Sequence, residues 1–274
     1  MSIEIRPVTA TIGAEVHGVD LRERLDDGTI DTIRKALLDH LVIFFRDQHI
    51  DDEQHLVFAL RFGPLDISPL ATKYQETDAV VVIDQVHPKG EGADVWHSDN
   101  TFLADPPMAS LLRAVHLPSV GGDTCFASMY AAYEALSEPM REFIDGLTAV
   151  HDITNVMRKA IRDGHTNLDL AEIQQRCPPV EHRVVVTHPE IGRKALFVNR
   201  NSTSHIVGLS ERENEVLLPF LCDHVRAPEF QCRFRWEAGS LAFWDNRAVQ
   251  HNAVPDYRER RVMRRVTITG PCAR

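Results

Sequence analysis

The sequence predicts a mainly β fold, a sandwich or jelly roll carrying helical insertions, on three observations. Short β-branched or aromatic runs bounded by turn residues cluster in the second half of the chain. Helical patterns lie mainly around those strands. No internal repeat, low-complexity tract or long Pro/Gly/Ser stretch divides the chain, so its 274 residues are expected to form one domain over 1–274. A chain of this length buries enough surface to fold without disulfides.

In chain order, Ile30, Ile33, Leu37 and Leu41 carry the helical period, and a second helix starts at Asp51 ahead of Leu56, Phe58 and Leu60. Residues 80–84 read as a strand. A helix through Ser128, Ala131, Ala132 and Leu136 is expected to stop before Pro139. Segment 151–179 is polar, carries Gly164 and ends in Pro178-Pro179; a stretch this long reads as an active-site lid or as a surface excursion with a short helix. Residues 184–187 and 195–198 are short strands. Ser210 and Glu213 form a capping box ahead of Val216, Leu217, Phe220 and Leu221. Phe230, Cys232, Phe234 and Trp236 alternate with Gln231, Arg233 and Arg235, the period of a half-buried strand. Ala238-Gly239 then turns the chain into 241–244, and 262–269 closes it.

The formal net charge is -10, from 30 Lys+Arg against 40 Asp+Glu, which repels polyanions and argues against a nucleic-acid partner. Five cysteines, Cys125, Cys177, Cys222, Cys232 and Cys272, contain no C-x-x-C pair, so a disulfide framework or Cys-based zinc site is not expected and a reducing, cytoplasmic compartment is. The apolar runs 41–45 and 79–83 are far too short to span a membrane, and MSIEIRPVTA lacks the apolar core of a signal peptide.

Chemistry concentrates in Trp96-His97-Ser98-Asp99. On extended backbone, residues two apart point to one side, so His97 and Asp99 present an imidazole and a carboxylate together. His251, seven residues after Trp244 in Trp244-Asp245-Asn246-Arg247, is the candidate third ligand. Two His and one carboxylate leave coordination positions open, the arrangement of non-haem Fe(II) oxygenases. Zinc takes the same donor types, so a metal hydrolase or structural zinc protein is the alternative, the hydrolase needing a general base besides. Arg261 and Arg265 fall four apart on the last strand, about 13 Å along it, facing the same way as Met263 and Thr267. A guanidinium facing into a barrel is costly unless paired: the plain reading is a salt bridge to one of the chain's 40 acids, the alternative an incoming carboxylate held through two hydrogen bonds.

Together, Trp-His-Ser-Asp around His97, Gly121-Gly122-Asp123-Thr124, Trp-Asp-Asn-Arg with the following His251, and the final Arg-Val-Met-Arg-Arg-Val-Thr resemble the taurine and phenoxyacetate dioxygenase family of Fe(II)/2-oxoglutarate enzymes. The resemblance extends from about Gly13 to Gly270 and implies a double-stranded β-helix, the cupin-like jelly roll. It implies Fe(II), 2-oxoglutarate and O2 as cofactor and cosubstrates, with His97, Asp99 and His251 as iron ligands. Thr124 and Arg261 would then hold the distal carboxylate of 2-oxoglutarate, and Arg265 the anionic group of a small organic substrate, with Phe102 lining the wall. Relatives are commonly dimers or tetramers, so a homodimer or homotetramer is expected. The chain departs from the taurine enzymes at Ser68, Ala71 and Ala93, where they carry His, Tyr and Asn, and at Met157 and Ser202, where they carry aromatic rings. A pocket without those donors and rings is wider, which turns the expected substrate toward an alkyl sulfate, a sulfonate larger than taurine, or an aryloxyalkanoate, in that order.

Overall fold

The computed structural model describes residues 3–67, 79–86, 94–162 and 169–273. A seven-stranded sheet runs in the order Glu4–Pro7, Ala14–His17, Val42–Phe45, Leu241–Asp245, Ala109–His116, Arg261–Ile268, Val81–Gln85. Its neighbours are antiparallel except Ala14–His17 beside Val42–Phe45. A three-stranded antiparallel sheet, Gln231–Phe234, Thr124–Ser128 and Val249–Ala253, faces it. Phe44, Leu112, Trp244 and Met263 of the large sheet share one core with Phe126, Phe234 and Val249 of the small one. Phe44 stacks on Phe234 with ring centroids 4.0 Å apart, a contact between the two sheets.

The other face of the large sheet is covered by helices Asp27–His40 and Asp52–Leu60. Ile30, Ile33, Leu37 and Phe58 pack there against Ile43, Phe45, Leu111, Phe243, Val266 and Ile268. Strands Val42–Phe45 and Leu241–Asp245 are therefore buried on both faces, and they read as unbroken apolar runs instead of alternating ones. The last strand slips register between Val262 and Met263. Its two faces still separate: Met263 points into the inter-sheet core, while Val266 and Ile268 meet the helices.

Local signals match the helix starts. Asp51 caps the second helix in a capping box with Gln54, and Ser210 caps Glu211–His224 in the box with Glu213. That last helix continues through Pro219. The helix capped by Ser128 ends already at Glu134, and a separate helix, Glu138–Ile144, takes Pro139 into its first turn, where a missing N–H costs nothing. The strand expected over 230–236 is shorter, Gln231–Phe234, because a 3-10 turn at Pro228–Phe230 precedes it and Trp236 turns away to bond Thr124.

Within 151–179 lie helices Thr154–Arg162 and Leu170–Arg176. Ile153, Ile173 and Cys177 pack on Phe102, with Leu103, Met157 and Ile161 at the edge of the cluster. This segment thus rests on the loop that directly follows Asp99. Ser68, expected in the substrate pocket, lies outside the described residues, as do Ala71 and Ala93. Among the described residues no helix is long and apolar enough to cross a membrane.

Candidate metal and cosubstrate site

His97 sits where the chain briefly pairs with the strand carrying His251: the His97 N–H donates to the His251 carbonyl at 3.1 Å, and the His251 N–H returns the bond at 2.8 Å. The reciprocal pair puts the two imidazoles side by side, ring centroids 4.2 Å apart. Asp99, two residues on, brings Oδ1 to 3.8 Å from both His97 Nε2 and His251 Nε2. Donor atoms of the three residues all lie within 4.8 Å of one another.

The protonation states suit a cation. His97 Nδ1 lies 2.7 Å from the Val95 carbonyl, which can only accept, so Nδ1 carries the proton and Nε2 keeps its lone pair. Burial lowers the pKa of His97, outweighing the charge of Asp99. His251 is lowered to about 3, by burial and then by His97. Burial alone would raise Asp99, but Arg265, with His251 and His97, holds it down to about 2. At neutral pH the site is one carboxylate and two neutral imidazoles, the state that metal binding requires.

The sequence reading gave Arg265 to a substrate anion. The structure gives it a partner inside the site: Nη1 donates to Asp99 Oδ1 at 2.7 Å, while Ser110 Oγ donates to Asp99 Oδ2 at 2.7 Å. Arg261 differs. It is 3 % exposed, yet its Nε and Nη2 have no hydrogen-bond partner among the described residues, and burial lowers its pKa. The rings of Trp236 and Tyr257 each lie 5.9 Å from its guanidinium carbon. Trp236 Nε1 donates to Thr124 Oγ1 at 3.0 Å, so the Thr124 hydroxyl hydrogen remains available to an acceptor. Gly122, at φ +77°, lies so close that a Cβ there would stand 3.2 Å from Arg261 Cδ and Nε. A two-coordinate gap in a buried guanidinium, a spare hydroxyl donor and a glycine clearance fit the carboxylate of a bound dianion.

The pocket residues expected from the departures divide. Phe102 is buried and carries the cluster under 151–179, and Met157 lies at that cluster's edge. Ser202 is buried with its backbone engaged: its N–H donates to Asn199 Oδ1 at 2.9 Å and its carbonyl accepts from the Asp152 N–H at 2.7 Å. Ser110, Asn246, Trp236 and Tyr257 were missed by sequence reasoning. The sequence signal that could have found one of them is Trp-Asp-Asn-Arg, which contains Asn246.

Two histidines and a carboxylate around one point, with a buried guanidinium on the same strand as Arg265, fit the class of non-haem metal oxygenases that use an oxoacid cosubstrate. The profile described as "Taurine catabolism dioxygenase TauD, TfdA family" matches residues 4–267, and the chain belongs to that family. It is 38% identical over 279 residues to an alpha-ketoglutarate-dependent sulfate ester dioxygenase of Pseudomonas putida, covering 98% of this chain and 90% of that protein. It is 35% identical to an alpha-ketoglutarate-dependent 2,4-dichlorophenoxyacetate dioxygenase of Cupriavidus pinatubonensis, covering 97% and 98%. Among solved structures, a taurine dioxygenase from Burkholderia xenovorans superposes with a TM-score of 0.84 at 38% identity, covering 100% of this chain and 93% of that one. AAD-2 in complex with Mn(II) and N-oxalylglycine superposes with 0.85 at 33% identity, covering 100% and 99%.

Proposed function

We propose that this protein is an Fe(II)- and 2-oxoglutarate-dependent dioxygenase that hydroxylates a small organic anion, an alkyl sulfate first, then a sulfonate larger than taurine or an aryloxyalkanoate. The observation that carries the reading is Arg261, a buried guanidinium whose donor nitrogens Nε and Nη2 meet no acceptor among the described residues, on the same strand and face as the arginine that holds Asp99. A dicarboxylate cosubstrate gives that cation a bidentate partner, which zinc hydrolysis does not in itself require.

His97, Asp99 and His251 would hold the iron. When bound, iron with 2-oxoglutarate and O2 supplies the oxidising chemistry, in which the oxoacid becomes succinate and CO2 and a substrate C–H becomes C–OH. Arg261 accepts the far carboxylate through its paired donors, and Thr124 adds its hydroxyl hydrogen. Arg265 keeps Asp99 ionised and, through its Nε, which meets no acceptor among the described residues, offers a donor to the anionic head of the substrate. Phe102 and Met157, with helices Thr154–Arg162 and Leu170–Arg176, would cover the site and limit water, and Ser202 would line the pocket; Ser68 is assigned to the pocket from the sequence alone. A hydroxyl set on the carbon bearing a sulfate, sulfonate or aryloxy group makes the product collapse to an aldehyde or ketone, releasing sulfate, sulfite or a phenol.

The reading includes a single jelly-roll domain over 1–274, a lid at 151–179, a homodimer or homotetramer, and a cytoplasmic setting without nucleic-acid or membrane partners. Relatives named for sulfate esters and phenoxyalkanoates support the substrate class. The test is a screen of sulfate esters, sulfonates and aryloxyacids for succinate release with Fe(II) and 2-oxoglutarate. Substrate-dependent succinate, absent in His97→Ala, is expected; zinc held tightly with no turnover of 2-oxoglutarate by any anion would refute it.

A further inference from the structure

Asp99 lies in a turn just past the isolated bridge at His97, where among the described residues no strand supplies partners for its backbone. Its N–H donates to Asn246 Oδ1 at 2.7 Å, and its carbonyl accepts from Asn246 Nδ2 at 2.9 Å. One side-chain amide therefore does for this residue what a neighbouring strand would do. The same Nδ2 reaches the Pro107 carbonyl at 3.1 Å, and the Asn246 N–H donates to the Met108 carbonyl at 2.9 Å. The orientation of the amide is dictated by its partners, because an N–H can only donate and a carbonyl can only accept.

Asn246 is itself held rigidly. Asp245 and Arg247 on either side are buried and bonded to each other, with Arg247 Nε to Asp245 Oδ1 at 2.8 Å and Nη2 to Oδ2 at 2.6 Å. His188 Nε2 sits 3.0 Å from the same carboxylate. Five residues beyond Asn246 comes His251. One buried turn thus carries one site imidazole along the chain and grips the backbone of the site carboxylate through an amide.

We propose that Asn246 is a positioning residue for the metal site, setting where Asp99 stands relative to His97 and His251 without touching the ion. This rests on the reading of those three residues as metal ligands. No other side chain meets the geometry: aspartate has no donor for the two carbonyls, and glutamine is longer by one methylene. Residues that orient ligands from behind typically change metal affinity 10- to 100-fold when removed.

Gln48 provides a control of the same kind away from the site. It is buried, accepts the Leu21 N–H at 2.7 Å, and donates to the Val19 and Arg46 carbonyls at 3.0 and 2.8 Å. The experiment titrates the metal-free protein with Mn(II) alone, following free Mn(II) by electron paramagnetic resonance, alongside thermal unfolding. Asn246→Ala is expected to bind Mn(II) roughly 10- to 100-fold more weakly. Gln48→Ala is expected to lose thermal stability while its Mn(II) affinity stays within about twofold of wild type, as befits an amide outside the metal's surroundings. If Asn246→Ala does not fold, the isosteric Asn246→Asp carries the test with the same expected weakening. Wild-type affinity in a folded Asn246 variant, or equal weakening in Gln48→Ala, overturns the assignment. Mn(II) binding that survives His97→Ala overturns the metal reading itself and the assignment with it.

Discussion

Arg261 and Arg265 share a strand and a face, and they live in opposite electrostatic situations. Arg265 spends Nη1 on Asp99, so that arginine and carboxylate neutralise each other inside the fold. Arg261 has aromatic rings around it and, among the described residues, no counter-anion bonded to Nε or Nη2. A buried cation without a hydrogen-bonded anion is a cost that folding alone does not repay. The contrast teaches which arginine awaits a ligand and which one organises residues already there.

Replacing Arg261 should break the contrast most severely. Arg261→Ala is expected to raise the 2-oxoglutarate requirement by roughly 100-fold or more, the usual loss when one partner of a buried charge pair is removed. Mn(II) binding should stay near normal, and Arg261→Lys, which keeps the charge without the fork, should recover only part of the loss. Steady-state kinetics in 2-oxoglutarate with a parallel Mn(II) titration check this; a variant that loses metal and keeps cosubstrate affinity would reverse the two roles. Arg265→Met comes next. Its Mn(II) affinity should fall roughly 10-fold, as for other groups that orient a ligand, and its KM for an anionic substrate should rise while the 2-oxoglutarate requirement changes little. A change confined to 2-oxoglutarate would argue against it.

The smallest effect concerns acid. Asp99, held at about 2 against an ordinary 3.8, contributes stability that is complete above about 3.8 and is lost as pH falls through 2. His55 and His151 are lowered by burial to about 3 from 6.5, so their contribution is complete above 6.5 and is lost as pH falls from there toward 3. Between pH 7 and about 5.5, then, Asp99 changes nothing, and each of these imidazoles costs about 1 kcal/mol of stability as the unfolded chain takes up protons. Urea unfolding of the metal-free protein at the two pH values measures the slope, which His55→Leu should reduce by one imidazole's share; an unchanged slope contradicts the assignment.

Much of the site was legible before folding because its signals are local. His97 and Asp99 are two apart, at an isolated bridge and in the turn just past it, Ser210 and Glu213 lie within one helical turn, and the two arginines keep the period of a strand. Strands Val42–Phe45 and Ala109–His116 were harder to read, since burial on both faces of the large sheet removes most of the alternation that marks a strand. The helix capped by Ser128 does stop before Pro139, two residues short of Leu136, and Pro139 falls in the first turn of the next helix.

By itself, the order of residues determined the donor types, the two strand-borne arginines, the helix caps and the family. It left open which charges meet. That Arg265 pairs with Asp99 while Arg261 does not, that Trp236 occupies one side of the Thr124 hydroxyl, and that Asn246 grips the backbone of Asp99 depend on contacts between residues separated by up to 166 positions. Side-chain hydrogen bonds act over about 3 Å of space, whatever the distance along the chain, and only the packing of the two sheets brings these groups within it.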